Sequence, residues 1–274
     1  MQRTIGMAWD RLHRHEIRLG PDLPVAVYTP DGQLEDPEII FLPGIASDGR
    51  SWHRQASLAS RHRVAFFDIP FEVPQAPYTF EILALLLRDA VYQLCTRPPV
   101  LVGASFGGML ALHYAAEYPD AVRGIALVGT SCDARWFVWP FRHLDAAVRR
   151  TPHGLFNPTF ARLCAMTAIA DGQDFETAAL YFAQARELGP SHYADRIRAI
   201  GRLRLQDELS SIHTPALVVH GGLDHTVPVH IGHRLAARLP HAELRIIASG
   251  THSMFLRHAG WFNRTLEEWL TTLP

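Results

Sequence analysis

Hydrophobic positions along the chain fall into short continuous runs that alternate with longer amphipathic stretches. The short runs have the length and unbroken hydrophobicity of strands that are buried on both faces of a sheet. We assign eight of them to strands, at residues 16–19, 23–29, 38–42, 63–68, 99–104, 124–129, 215–220 and 244–248. The first two are joined by a short turn and are expected to pair antiparallel at an edge, while the others are expected to form a parallel sheet.

The amphipathic stretches between these runs predict helices. The clearest is 79–95, which begins at a good N-cap residue, Thr79, and carries apolar residues at helical spacing. Further helices are expected at residues 51–60, 107–118, 232–239 and 260–270. This alternation of strands and helices predicts an α/β fold, with a mostly parallel eight-stranded sheet and helices on both faces.

One long segment, residues 133–209, interrupts the alternation. It has the pattern of helices and loops, and it is rich in aromatic residues, most of which we expect to form its own core. We predict a core domain of residues 1–132 and 210–274, with 133–209 inserted as a helical cap over the carboxyl edge of the sheet, where open α/β folds bind ligands. Trp136, Phe137 and Trp139 follow a predicted strand end closely and are our candidate substrate-binding residues.

Composition excludes several classes of function. The formal net charge of −1 argues against a nucleic-acid surface, and no apolar run is long enough to span a bilayer. The histidines and cysteines lack metal-ligand spacing and no nucleotide motif is present, so we predict no metal and no cofactor. Three scattered cysteines, together with an N-terminal stretch that lacks an apolar leader, favour a cytoplasmic location.

One serine lies at the sharpest boundary in the pattern. The apolar run after Pro99 stops at Gly103-Ala104-Ser105-Phe106-Gly107, and a long helical stretch starts at once. Gly-x-Ser-x-Gly between a strand and a helix is typical of a nucleophile elbow, a turn so tight that side chains two residues before and after the serine would collide. The alternative is an ordinary tight turn with an exposed serine.

A serine hydroxyl needs a base to become a nucleophile, and the base needs an orienting acid. Asp224 follows the predicted strand 215–220, and His252 follows the last strand through Gly250. Loops at one edge of the sheet can bring both side chains to the serine. Asp133, which follows the strand 124–129, is the competing candidate for the acid.

The chain resembles the α/β-hydrolase superfamily over nearly its whole length, in particular its serine esterase and acyltransferase-like branch. The motifs that carry the resemblance occur in order at successive strand ends: Leu42-Pro43-Gly44-Ile45, Phe67-Asp68-Ile69-Pro70, the elbow with Gly108, His220-Gly221-Gly222-Leu223-Asp224 and Gly250-Thr251-His252. One departure is Pro43-Gly44, where many members have His-Gly, so the packing of this loop must differ.

The resemblance implies a role for each candidate residue. Ser105 would be the nucleophile, His252 the general base and acid, and Asp224 the residue that orients His252. The backbone N–H groups of Ile45 and Phe106 would form the oxyanion hole.

We therefore expect a serine hydrolase that cleaves a carboxylic ester or thioester with a hydrophobic acyl group through an acyl-enzyme. An acyltransferase or a carbon–carbon bond hydrolase with the same Ser-His-Asp triad is an alternative. So is a ligand-binding protein on a hydrolase scaffold, because a fold does not fix a function. The expected partner is a small hydrophobic ester, thioester or acyl substrate.

Overall fold

A computed structural model describes residues 8–133, 135 and 144–274. Its strands in chain order are β1 (His13–Leu19), β2 (Leu23–Thr29), β3 (Ile39–Leu42), β4 (Val64–Phe67), β5 (Val100–Ala104), β6 (Gly124–Val128), β7 (Ala216–Gly221) and β8 (Ala242–Ile247). They form an eight-stranded sheet in the order β1-β2-β4-β3-β5-β6-β7-β8. The pairs β1–β2 and β2–β4 are antiparallel and the remaining pairs are parallel, which confirms the predicted mostly parallel sheet with an antiparallel edge.

The helices connect these strands. Those in the described ranges are α1 (Phe80–Leu94), α2 (Phe106–Glu117), α3 (Leu144–Arg150), α4 (His153–Ala170), α5 (Phe175–Glu187), α6 (Pro190–Arg202), α7 (Val229–Ala236), α8 (Met254–Arg257) and α9 (Ala259–Leu270). Thr79 caps α1 as expected, since its hydroxyl accepts a hydrogen bond from the Ile82 N–H at 3.4 Å. The predicted helix 51–60 is a 3-10 helix, Gly49–Ser60, and the four-residue α8 is too short for its periodicity to be visible in the sequence.

Two hydrophobic layers cover the two faces of the sheet. In β3, for example, Ile40 and Leu42 point to a layer that contains α1, α2 and α7, whereas Ile39 and Phe41 point to a layer that contains the 3-10 helix 49–60, α8 and α9. Each central strand therefore buries every side chain. This explains why the strands are continuous apolar runs rather than alternating ones.

The helices α3 to α6, which we call the helical insertion, lie between β6 and β7 in the chain. Part of the insertion forms its own small core, in which the rings of Phe156 and Phe160 stack with centroids 4.9 Å apart. Phe175, by contrast, faces solvent and is 79% exposed. The interpretation of the insertion's aromatic residues as core therefore holds for part of the set.

The insertion contacts loops that follow the carboxyl ends of the strands. The Gln173 amide donates to the Ser253 carbonyl at 3.1 Å, in the loop beyond β8. The Gln184 amide donates to Asp48 at 2.6 Å, in the loop beyond β3. These contacts support the division into a core of residues 1–132 and 210–274 and a cap of 133–209, which remains our proposal. No helix in the part of the chain described is long and apolar enough to cross a membrane.

Candidate active site

Ser105 lies on the abrupt turn between β5 and α2. Its backbone has φ 51° and ψ −110°, a left-handed φ that residues with a side chain seldom adopt. The turn is held at both ends of the residue: the Ser105 N–H donates to the Val128 carbonyl at 2.9 Å, and the Thr130 hydroxyl donates to the Ser105 carbonyl at 2.6 Å. These two hydrogen bonds therefore hold the strained backbone conformation in place. The serine side chain is half-buried.

The glycines on either side of Ser105 make this turn possible. A Cβ on Gly103 would collide with the backbone of Gly107 and would lie 2.5 Å from the Gly108 nitrogen. A Cβ on Gly107 would collide with the Leu42 carbonyl and would lie 2.6 Å from the Pro43 oxygen. The atoms that each Cβ would meet belong to the backbone and cannot rotate away. Side chains at these two positions would therefore collide, as the Gly-x-Ser-x-Gly pattern predicts.

We expect Gly103→Ala to lower the free energy of unfolding by about 3 kcal/mol, because overpacking against a rigid neighbour costs that much. Gly201→Ala in α6 is the matched control, since a Cβ there meets no atom within 4 Å. In a helix this control should stabilise the protein by about 0.5–1 kcal/mol. Urea unfolding of the two variants measures both changes, and equal stabilities would contradict the steric account of the elbow.

Asp224 and His252 form a hydrogen-bonded pair at the carboxyl ends of β7 and β8. His252 Nδ1 lies 2.8 Å from Asp224 Oδ2. The other carboxylate oxygen of Asp224 accepts from the backbone N–H groups of Thr226 at 2.9 Å and Val227 at 2.8 Å. The Asp224 side chain is fully buried and the His252 side chain is 22% exposed. The carboxylate is therefore held rigidly, and the imidazole faces partly outward.

The pKa values of the two residues are shifted in opposite directions. Burial alone would lower the pKa of His252, but the charge of Asp224 and its hydrogen bond outweigh burial and raise that pKa above the ordinary 6.5. Burial alone would raise the pKa of Asp224, but the interaction with His252 and the bond from Val227 hold it below its usual value. The pair is therefore suited to accommodate an imidazolium when the histidine accepts a proton.

Gly129, the residue after β6, connects this pair to the turn of Ser105. A Cβ on Gly129 would lie 3.3 Å from Asp224 Oδ2 and 3.4 Å from His252 Nδ1. The preceding residue, Val128, accepts the hydrogen bond from the Ser105 N–H. Gly129 also has a positive φ of 52°. A side chain at this position would crowd the pair and strain the backbone, so the position favours glycine.

The two predicted oxyanion residues flank the serine. A Cβ on Gly44 would lie 3.9 Å from the Ser105 Cβ, so the Gly44–Ile45 peptide of the loop after β3 borders the serine side chain. Phe106 is the first residue of α2, and the first N–H groups of a helix have no acceptor within the helix. The Phe106 ring is buried and lies against Phe80, with centroids 4.9 Å apart. Its burial fixes the start of the helix.

Asp133, the competing acid, is engaged elsewhere. Its buried carboxylate accepts from the Arg135 Nε at 3.0 and 2.9 Å, and Arg204 lies 3.7 Å away. Burial would raise the pKa of Asp133, but the hydrogen bonds from Arg135 lower it. The carboxylate bonded to His252 is that of Asp224.

Two further residues of the sequence motifs have structural contacts. His220 Nε2 lies 2.8 Å from the Val227 carbonyl, which supports the loop that carries Asp224. Asp68 accepts from the Gly49 N–H at 2.6 Å and thereby fixes the start of the 3-10 helix 49–60. Both residues therefore fix loops that follow strands of the sheet.

Sequence reasoning missed two charged residues of the helical insertion. Asp171, at the end of α4, is close enough for its charge to contribute to the raised pKa of His252. Arg196 of α6 is fully buried against the loops beside the serine. Its signal in the sequence is an arginine on the apolar face formed by Tyr193, Ile197 and Ile200, which have helical spacing.

The candidate substrate-binding residues Trp136, Phe137 and Trp139 lie outside the described residues. Within residues 8–133, 135 and 144–274, no group of three histidine, cysteine, aspartate or glutamate side chains is arranged to hold a metal ion.

Sequence comparison gives a family match. Residues 37–259 match the sequence profile of the family described as "alpha/beta hydrolase fold". A pimeloyl-[acyl-carrier protein] methyl ester esterase of Chromobacterium violaceum is 30% identical, over 87% of this chain and 96% of the relative. A putative carbamate hydrolase, RutD, of Serratia proteamaculans is 28% identical, over 92% of this chain and 94% of the relative.

Solved structures share the fold. An esterase from Exiguobacterium antarcticum superposes with a TM-score of 0.82 at 17% identity, over 94% of this chain and 100% of that chain. An enol-lactonase from Burkholderia xenovorans LB400 superposes with a TM-score of 0.76 at 22% identity, with the same coverage of 94% and 100%. At these identities the likenesses show the fold alone.

Proposed function

The chain belongs to the α/β-hydrolase fold family and is an ester-hydrolysing enzyme, and on this premise we propose that it is a serine hydrolase that works through an acyl-enzyme. Its substrate in this proposal is a carboxylic ester or thioester with a hydrophobic acyl group. The observation that carries the proposal is the hydrogen bond of 2.8 Å between His252 and Asp224, which lies against Gly129, the residue next to the Val128 carbonyl that binds the Ser105 N–H.

The catalytic cycle begins with proton transfer from the serine. His252 Nε2 takes the proton of the Ser105 hydroxyl as its oxygen attacks the substrate carbonyl. Asp224 accepts the Nδ1–H of His252, which keeps Nε2 free to act as the base. The imidazolium then gives its proton to the departing alkoxide or thiolate, and an acyl-Ser105 ester remains. Water repeats the sequence with His252 as base and releases the carboxylic acid.

Negative charge develops on the carbonyl oxygen during both steps. The N–H groups of Ile45 and Phe106 are the proposed donors to this oxygen, because their peptides flank Ser105. Loss of one such donor typically lowers kcat by about 10²–10³-fold. The oxyanion hole is therefore a major part of the proposed rate enhancement.

The surroundings of Ile45 support a hydrophobic acyl group. Ile45 packs against the core of the helical insertion, which includes Phe156, Phe160 and Tyr193. An apolar wall therefore stands beside the proposed oxyanion loop. The relative from Chromobacterium violaceum, whose name describes an ester of an acyl chain, is consistent with this substrate class.

Product analysis distinguishes hydrolysis from acyl transfer. With p-nitrophenyl butyrate in ¹⁸O-labelled water, we expect one labelled oxygen in each butyric acid and none in the nitrophenol, because water cleaves the acyl-serine bond. Added 1-butanol should leave the acid as the main product. Butyl butyrate as the main product at low butanol concentration would instead indicate an acyltransferase with the same residues.

A further inference from the structure

Arg196, on helix α6 of the helical insertion, is a fully buried cation whose hydrogen bonds all go to uncharged oxygens. Nη1 donates to the Ile45 carbonyl at 2.5 Å, and Nη2 donates to the Ile69 carbonyl at 2.7 Å. Nε donates to the Tyr78 hydroxyl at 3.1 Å. No carboxylate among the residues described forms an ion pair with this guanidinium.

Asp68 contributes a negative charge near Arg196 without forming an ion pair with it. Burial and the neighbouring Asp48 raise the pKa of Asp68, which weakens this contribution. The positive charge of Arg196 is offset instead by its hydrogen bonds and by the faces of two rings, Phe71 at 4.8 Å and Phe106 at 5.4 Å from the guanidinium carbon.

A buried charge without a counter-ion is costly for folding, and its hydrogen bonds only partly offset this cost. An apolar residue would avoid that cost but would leave the carbonyls of Ile45 and Ile69 without this donor. The guanidinium therefore serves the loops that it contacts, and one of them carries the proposed oxyanion donor Ile45.

Arg196 contacts both residues of the proposed oxyanion hole. It holds the carbonyl of Ile45, and its guanidinium lies over the ring of Phe106. The Ile69 bond ties the same guanidinium to the loop after β4. One side chain thus braces the loop after β3 against the start of α2 and against a third loop. The planar group with several fixed donors suits this task better than an ammonium.

We propose that Arg196 is a positioning residue that sets the geometry of the oxyanion hole and places a positive charge beside it. This inference rests on the proposed serine hydrolase function. Because the oxyanion exists only after Ser105 has attacked, Arg196 contributes to the transition state and little to substrate binding.

The test compares Arg196→Ala and Arg196→Lys with Arg198→Gln. Arg198 is the matched control because it lies on the same helix and pairs with Asp145 and Asp195 near the surface. For p-nitrophenyl butyrate we expect kcat of the Arg196 variants to fall about 10–100-fold, less than loss of a donor itself, with KM changed less than about 3-fold. Millimolar guanidinium ion should restore part of the rate of Arg196→Ala alone. Arg198→Gln should keep the parent kcat.

The affinity for an arylboronic acid is a second measurement, and it should not change if Arg196 only stabilises the fold. Its affinity for the Arg196 variants should fall by the same factor as kcat, because the boronate resembles the tetrahedral adduct. Rates are divided by the concentration of serine that a fluorophosphonate labels at completion, so unfolded protein is not counted. If Arg196→Ala does not fold, Arg196→Lys alone tests the proposal. Lysine keeps the positive charge but lacks the planar set of donors of the guanidinium.

A loss confined to KM, an unchanged kcat, or an equal loss in Arg198→Gln would overturn the role of Arg196. The parent function is tested separately by Ser105→Ala. An inactive Ser105→Ala together with fully active Arg196 variants would overturn only the positioning role, whereas an active Ser105→Ala would overturn the proposed serine hydrolase itself.

Discussion

Ser105→Ala should lower kcat for p-nitrophenyl butyrate by about 10⁵–10⁶-fold, the loss expected when the nucleophile of a Ser-His-Asp unit is removed. The alanine keeps the Cβ and the backbone conformation, so the thermal midpoint and the near-ultraviolet circular dichroism should match those of the parent. Steady-state kinetics and thermal unfolding of the same preparation measure both properties. The combination of a folded protein and lost turnover is the expected result.

Ser211→Ala is the control for this variant. Ser211 is exposed and precedes β7, at the opposite edge of the sheet from Ser105. The Ser211→Ala variant should therefore retain the parent kcat. A Ser105→Ala protein that turns over the ester at more than about a tenth of the parent rate would exclude Ser105 as the nucleophile, since a nucleophile accounts for several orders of magnitude.

Asp224→Asn should lower kcat by about 10⁴-fold, because the amide no longer holds His252 in the tautomer that leaves Nε2 free. It should also move the pH profile. In the parent, His252 must be neutral to act as the base, and its raised pKa means that kcat/KM falls as the pH drops through a value above 6.5. Without the carboxylate, burial lowers the pKa of His252, so this acid limb shifts to lower pH.

Asp133→Asn is the matched comparison, because Asp133 is the other candidate for the acid in the sequence. Its carboxylate is hydrogen-bonded to Arg135 and lies 3.7 Å from Arg204, so this variant should lose stability but keep the acid limb of kcat/KM where the parent has it. The opposite pattern, with the pH profile shifted in Asp133→Asn and unchanged in Asp224→Asn, would assign the acid to Asp133.

Much of the sheet and of the site could be predicted because the local pattern reports burial and steric constraint directly. Strands buried on both faces are continuous apolar runs, and β3 to β7 are visible for this reason. The elbow was predictable because Gly103 and Gly107 are the only kind of residue that the turn tolerates at these positions. The loops that carry Asp224 and His252 follow β7 and β8, and parallel strands place such loops at one edge.

Other features depend on contacts between distant parts of the chain. The antiparallel pairing of β2 with β4 cannot be read from either strand alone. Gly129 gives no motif, and its need for a positive φ and for space beside the Asp224–His252 pair emerges only when β6, β7 and β8 come together. In the sequence, Arg196 is a charged residue on the apolar face of an amphipathic helix. Its contact with the loop of Ile45 becomes visible only in the folded structure.

Covalent trapping is the most direct test of the claim that Ser105 becomes acylated. The parent protein is treated with a fluorophosphonate, digested, and analysed by peptide mass spectrometry, with Ser105→Ala and Asp224→Asn treated in parallel. We predict one adduct, on the peptide of the elbow and assigned to Ser105, which forms slowly in Asp224→Asn and not at all in Ser105→Ala. An adduct on another residue, or a parent protein that hydrolyses the ester and remains unlabelled, would contradict the account.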